Sequence, residues 1–137
     1  MVTFLGKRKP AGGPGAQGAA ATTRERGNVA EDQALAHLQA AGLKLVERNY
    51  RTPGRGGGEI DLVMRDRDGT LVFVEVRSRA GGGFGGAGGS ISATKQQRIV
   101  FAARHYLLRW PSPPPCRFDV VLVQGHIEWL KAAFDAQ

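Results

Sequence analysis

The alternation of apolar and polar positions divides the chain into a helical stretch, three short strands, a second helical stretch and a closing pair of strands. Residues 24–42 gather Ala34, Leu35 and Leu38 on one face at the spacing of an α-helix, and Gly42 follows as a stop. Period-two runs then occupy 43–51, 59–65 and 70–79, with Asp68-Gly69 as a tight turn between the last two. Helical spacing returns over 92–110 through Ile99, Ala103, Tyr106 and Leu107. Ser92 or Thr94 is its cap, and the prolines of 111–115 end it. Strands are predicted over 117–123 and 126–134. This order predicts an α/β fold in which helices cover a mixed sheet. Residues 1–23, rich in Gly, Ala and Pro and holding Lys7, Arg8 and Lys9, lack any period. They read as a disordered basic arm before a single domain over 24–137, and 81–89 reads as a flexible loop.

Two carboxylates break the apolar pattern. Asp61 sits in Glu59-Ile60-Asp61-Leu62-Val63, and Glu75 sits in Phe73-Val74-Glu75-Val76-Arg77. An acid in a β-branched, half-buried run is costly to desolvate unless something neutralises it. Alternation places Glu59, Asp61 and Val63 on one face of their strand, opposite Ile60, Leu62 and Met64. It also groups Leu71, Phe73, Glu75 and Arg77. Pairing through the Asp68-Gly69 turn lets Asp61 and Glu75 project from the same face, where a hard cation such as Mg²⁺ is held by one or two carboxylates and water. Glu31 falls in the middle of the first helix's apolar stripe and is a third candidate. Lys95 stands at the border of the second stripe, within reach of the acids. Arg98, His105 and Arg109 line one flank of that helix, suited to phosphate contacts.

Charge narrows the class of partner. The 137 residues carry a net charge of +7 with pI near 10.3. Residues 27–75 hold eight acids and six bases, whereas 76–118 hold no acid against Arg77, Arg79, Lys95, Arg98, Arg104, Arg109 and Arg117. Such asymmetry is the footprint of a polyanion partner, nucleic acid first. No apolar run approaches the roughly 18 residues of a membrane helix, so no membrane partner is expected. The order of apolar and basic residues at the start is the reverse of a secretory signal. The single Cys116 excludes an internal disulfide and suits a cytoplasmic location. Gly83 to Gly88 matches the dinucleotide fingerprint in letters, but no acid follows at the spacing a ribose needs. One cysteine and three scattered histidines exclude an ordinary structural zinc site.

Four segments, taken in order, carry a family resemblance: Gly58-Glu59-Ile60-Asp61-Leu62, Phe73-Val74-Glu75-Val76-Arg77-Ser78-Arg79, Lys95-Gln96-Gln97-Arg98 and Arg117-Phe118-Asp119-Val120. Together they resemble the YraN-like family, a small bacterial family similar to the restriction-endonuclease-like PD-(D/E)XK superfamily and to archaeal Holliday junction resolvases. The resemblance runs from about residue 24 to 134. It implies an αβββαβ core and Mg²⁺- or Mn²⁺-dependent hydrolysis of structured or branched nucleic acid, DNA in preference to RNA. It also implies Asp61 as metal-bridging aspartate, Glu75 and the Val76 carbonyl as further ligands, Glu31 as the supporting helix glutamate and Glu59 as a motif member. Arg79, Lys95, Arg98 and Arg109 are the expected nucleic-acid contacts, and a homodimer is compatible with the analogy. Two positions depart from the pattern. Ala30 stands where the family has glycine, and Arg77 stands where the motif has lysine. A guanidinium stays protonated and cannot take a proton from water. That leaves three readings: a metal-dependent endonuclease with Lys95 supplying the amine, a catalytically silent binding module, or a protein-interaction scaffold in which the acids pair with Arg77 and Lys95 as a structural network.

Overall fold

Five strands form one mixed sheet with a helix on each face. In the computed structural model, which describes residues 23–78 and 91–136, the elements are α1 (Thr23–Ala40), β1 (Lys44–Arg51), β2 (Glu59–Arg65), β3 (Leu71–Ser78), α2 (Ala93–Leu107), β4 (Cys116–Val123) and β5 (Ile127–Phe134). Of the arm expected over 1–23, residues 1–22 lie outside the described residues, as do the loop expected over 81–89 and Arg79, while Thr23 instead opens α1. The strands lie side by side in chain order. All pairs are antiparallel except β3–β4, and that parallel pair needs a crossover long enough to hold α2. The α/β class and the αβββαβ order are therefore those predicted, with β5 as an added edge strand. No described helix is long and apolar enough to cross a membrane.

The helix ends follow local chemistry. Gly42, at φ +103°, closes α1: its N–H donates to the Gln39 carbonyl, and the Leu43 N–H donates to the Leu38 carbonyl. That reciprocal pair needs a left-handed residue, which glycine adopts without strain. Between the two cap candidates for α2 the structure chooses Ser92, whose Oγ accepts the Lys95 N–H at 3.1 Å. The α-helix stops at Leu107, three residues before the predicted end. The Leu108 and Trp110 N–H groups bond three residues back, tightening the last turn.

Each face of the sheet buries its own cluster. Tyr50, Val63, Phe73 and Phe118 pack with Ile99 and Tyr106 of α2, while Leu62, Met64, Val72 and Val121 pack with Ala34 and Leu38 of α1. Simple alternation fails within β2. Ile60, predicted beside Leu62 and Met64, joins the α2 cluster instead. The reason lies across the ladder in Asn49, which has φ +52°. A left-handed residue breaks the period of two, and asparagine is among the few side chains that tolerate it. Arg48 consequently faces α1 while Tyr50 faces α2, and their partners Leu62 and Ile60 follow them. Asp61 sits between those partners, at the point of rotation.

Gly58 fastens the β1–β2 connection. A Cβ there would lie well inside contact distance of the Arg98 carbonyl oxygen and press on the Ala102 methyl group at 3.3 Å, so the loop lies directly on α2. The neck of the loop is closed by Thr52, buried, whose N–H donates to the Gly58 carbonyl and whose Oγ1 accepts the Gly58 N–H at 2.9 Å. Gly58→Ala is expected to lower stability by about 2 kcal/mol in denaturant unfolding, the usual scale of forced overpacking. A loss below about 0.5 kcal/mol would show that the loop is not held to the helix.

Candidate functional site

The site forms where the β2–β3 ladder ends. The last paired residues are Leu62↔Val74, although β2 stays paired with β1 as far as Arg51↔Glu59. Asp61 and Glu75 are the next pair beyond that fork. Asp61 does not complete the ladder with its backbone. Instead its Oδ2 accepts the Val76 N–H at 2.8 Å, which draws the carboxyl onto β3. Glu75 is 8% exposed, and its carboxyl lies near enough to that of Asp61 for each charge to act on the other.

Two acids so placed cannot both ionise cheaply. Burial, then the negative charge of Glu75, pushes the Asp61 carboxyl from its ordinary 3.8 up to about 8, and the Val76 N–H only partly opposes this. Burial also raises Glu75, against the pull of Lys95 and Arg77. Lys95 places Nζ 3.6 Å from Glu75 Oε2, so the lysine at the helix border does reach the carboxylates. Arg77 is half-buried on the same strand, two residues beyond Glu75.

The remaining candidates sit around this pair at different depths. Glu31 stands on the α1 side, its side chain 13% exposed, and its charge adds to the upward pull on Asp61. Its own carboxylate is held by Arg48 Nη2 at 3.3 Å, and Arg48 also bonds Asp32 at 2.9 Å. Glu59 adds its charge to the same cluster and pairs with Arg51 at 3.7 Å. Among the described residues no group of three or more His, Cys, Asp or Glu side chains is placed to hold one metal ion. The geometry offers a pair. Two oxygen-donor side chains, one forced to keep its proton near neutrality, have the chemistry that suits a hard dication, which would relieve their repulsion.

Of the expected phosphate contacts, Arg98 joins Lys95 along a groove of about 350 Å³ beside the pair. Arg109 does not. It lies over the Tyr106 ring at 3.6 Å and 3.5 Å from Glu47, just past the end of α2 opposite to Lys95. The charge of Arg117, half-buried, is taken up as well, since its guanidinium bonds Asp66 at 2.9 Å and the buried Asp119 at 3.0 Å.

Two features went unread in the sequence. The glycine-rich connection 52–58, with Arg51 at its base, forms the other wall of the groove. Its signal was the cluster of four glycines over 54–58, between two strands. The second is Asp119, fully buried, which accepts hydrogen bonds from Arg117 Nε, Trp129 Nε1 at 2.9 Å and the Ala132 N–H at 2.9 Å. It holds together β4 and the irregular part of β5, where the register shifts between Phe118 and Val120.

Comparison with known proteins gives a consistent picture. A family model described as uncharacterised protein family UPF0102 matches residues 30–123. The chain is 73% identical to a UPF0102 protein of Paracidovorax citrulli (strain AAC00-1), covering 93% of this chain and 96% of that one. It is also 73% identical to one of Verminephrobacter eiseniae (strain EF01-2), covering 100% and 99%. A UPF0102 protein of Cupriavidus pinatubonensis (strain JMP 134 / LMG 1197) is 60% identical over 83% of this chain and 88% of its own.

Proposed function

The chain belongs to the uncharacterised protein family UPF0102, and on that premise we propose that it is a nucleic-acid-binding protein of nuclease fold that hydrolyses phosphodiester bonds in structured or branched DNA with Mg²⁺ or Mn²⁺. One observation carries the reading: Asp61 and Glu75 meet at a fork in the sheet, with Lys95 3.6 Å from one of them and a basic groove alongside. Asp61, Glu75 and the Val76 carbonyl are the groups that would hold the ion. Such an ion, when bound, lowers the pKa of water and offsets negative charge building on the phosphate.

The protein's own residues divide the remaining work. Asp61 is fixed by the Val76 N–H, so its position does not depend on a flexible rotamer. Arg77 supplies positive charge and hydrogen-bond donors toward the phosphate but cannot move a proton. Lys95 is the amine beside the pair, and an ammonium can lose its proton where a guanidinium does not. It is the group we assign to proton transfer at the attacking water. Glu31, held by Arg48, supports the site through its charge.

The test is cleavage of linear, hairpin and four-way DNA with Mn²⁺ and with chelator. Product is expected only with metal, and Glu75→Gln is expected to reduce it to background. Arg77 in the lysine position favours a second reading, in which the same fold binds without cutting. Tight binding with no product from any substrate would select it and end the hydrolase reading.

A further inference from the structure

We propose that the groove between the 52–58 connection and the first turns of α2 seats the sugar–phosphate backbone next to the carboxylate pair and reads no bases. The inference rests on the nucleic-acid-binding reading above and goes on to say where, and through which chemistry, the strand lies.

Neither acid of the pair lines the groove, but two residues link it to them. Lys95 lines it and also touches Glu75, and Glu59 lines it and also acts on Asp61. Its cations come from both walls: Arg51 from the end of β1, Lys95 and Arg98 from one turn of α2. Three positive side chains along one channel, against the single Glu59 carboxylate, make it attractive to successive phosphates. Much of the opposite wall is Gly54, Gly56, Gly57 and Gly58. Without side chains, that wall lets a polymer backbone approach closely. Its shape is fixed, because Gly58 lies on the Arg98 carbonyl and Thr52 closes the neck.

The lining also argues for what is not read. No aromatic side chain among the described residues lines the groove, whereas binding of unstacked single strands relies on aromatic platforms. No asparagine or glutamine among them lines it either, and these are the side chains suited to adenine edges. Cations and bare backbone recognise phosphate spacing. The substrate of this groove is therefore the backbone of a stacked, double-helical segment; arginine and lysine are also able to meet guanine edges, and equal binding of scrambled sequences is the result that excludes this.

The experiment is fluorescence anisotropy of labelled duplex and four-way DNA in chelator, so that nothing is cut, over a salt series. Arg51→Ala and Arg98→Ala are each expected to weaken binding several-fold and to reduce the slope of log affinity against log salt by about 1. Arg98→Glu is expected to cost more than tenfold. Arg104→Ala, on another face of the same helix, is expected to leave both quantities unchanged, and scrambled sequences are expected to bind equally. Thermal melts establish that each exposed-residue variant is folded. If the parent binds DNA while Arg51→Ala and Arg98→Glu match it in affinity and slope, the strand lies elsewhere and this inference fails alone. A strong sequence preference, or tighter binding of unstructured single strands, overturns it too. No binding by the parent at low salt overturns both this inference and the function it rests on.

Discussion

Asp119→Ala is expected to destabilise the protein by about 3–5 kcal/mol, the scale for removing one partner of a buried ion pair. The carboxylate is fully buried, and its loss leaves three donors without an acceptor: the Arg117 Nε, the Trp129 indole and the Ala132 N–H. Arg117 keeps only its bond to Asp66. For a domain of this size the change corresponds to a fall in Tm of roughly 10 °C or more. Asp66→Ala removes the more exposed partner of the same arginine and should cost no more than about 1 kcal/mol. Thermal and denaturant unfolding of the two variants side by side decides the matter. Equal, small losses would mean that Asp119 does not hold β5 in place.

The second large effect concerns the carboxylate pair in metal-free protein. Asp61 binds its proton more tightly folded than unfolded, because its folded pKa is raised to about 8 from 3.8. Stability from that proton is fully present below about pH 4 and is lost as pH rises toward 8. Asp61→Asn keeps an oxygen to accept the Val76 N–H but removes the charge. In chelator it should be more stable than the parent by a few kcal/mol at pH 9, with the gap closing toward pH 4, since each tenfold change in proton affinity between the folded and unfolded chain is worth about 1.4 kcal/mol. Adding Mn²⁺ at pH 8 should raise the Tm of the parent and leave that of Asp61→Asn unmoved. A variant less stable than the parent across the whole range would show that burial and repulsion do not strain this pair. An acid that weakens the resting fold is the pattern expected of a functional site.

The pattern of the chain made the pair legible for a simple reason. A carboxylate inside Ile-Asp-Leu or Val-Glu-Val conflicts with its surroundings, and the conflict is visible without coordinates. Lys95 was legible in the same way, from its place at the edge of a helical stripe, and Ser92 from cap chemistry. What escaped depends on distance or on a single backbone angle. Arg98 and Arg109 share a helical flank by angle, but the angle says nothing of the three turns between them. Ile60 changes face because of one left-handed asparagine on the neighbouring strand. Arg117 counts toward the basic stretch in sequence, yet its charge is spent on Asp66 and Asp119. Asp119 itself follows a phenylalanine in an apolar strand and resembles the site acids. Only its partners show that it is structural.

The two non-glycine residues with positive φ among the described residues, Asn49 and Ala132, fall one in each outer strand. Both outer borders of the sheet are therefore kinked, each at the third residue from the end of its strand, and Lys44 and Lys131 add exposed charge to them. A foreign ribbon aligning with either border meets a broken row of amide and carbonyl groups after a few residues. The fold thus guards its open margins against edgewise stacking and amyloid-like growth while leaving its helical faces available to other molecules.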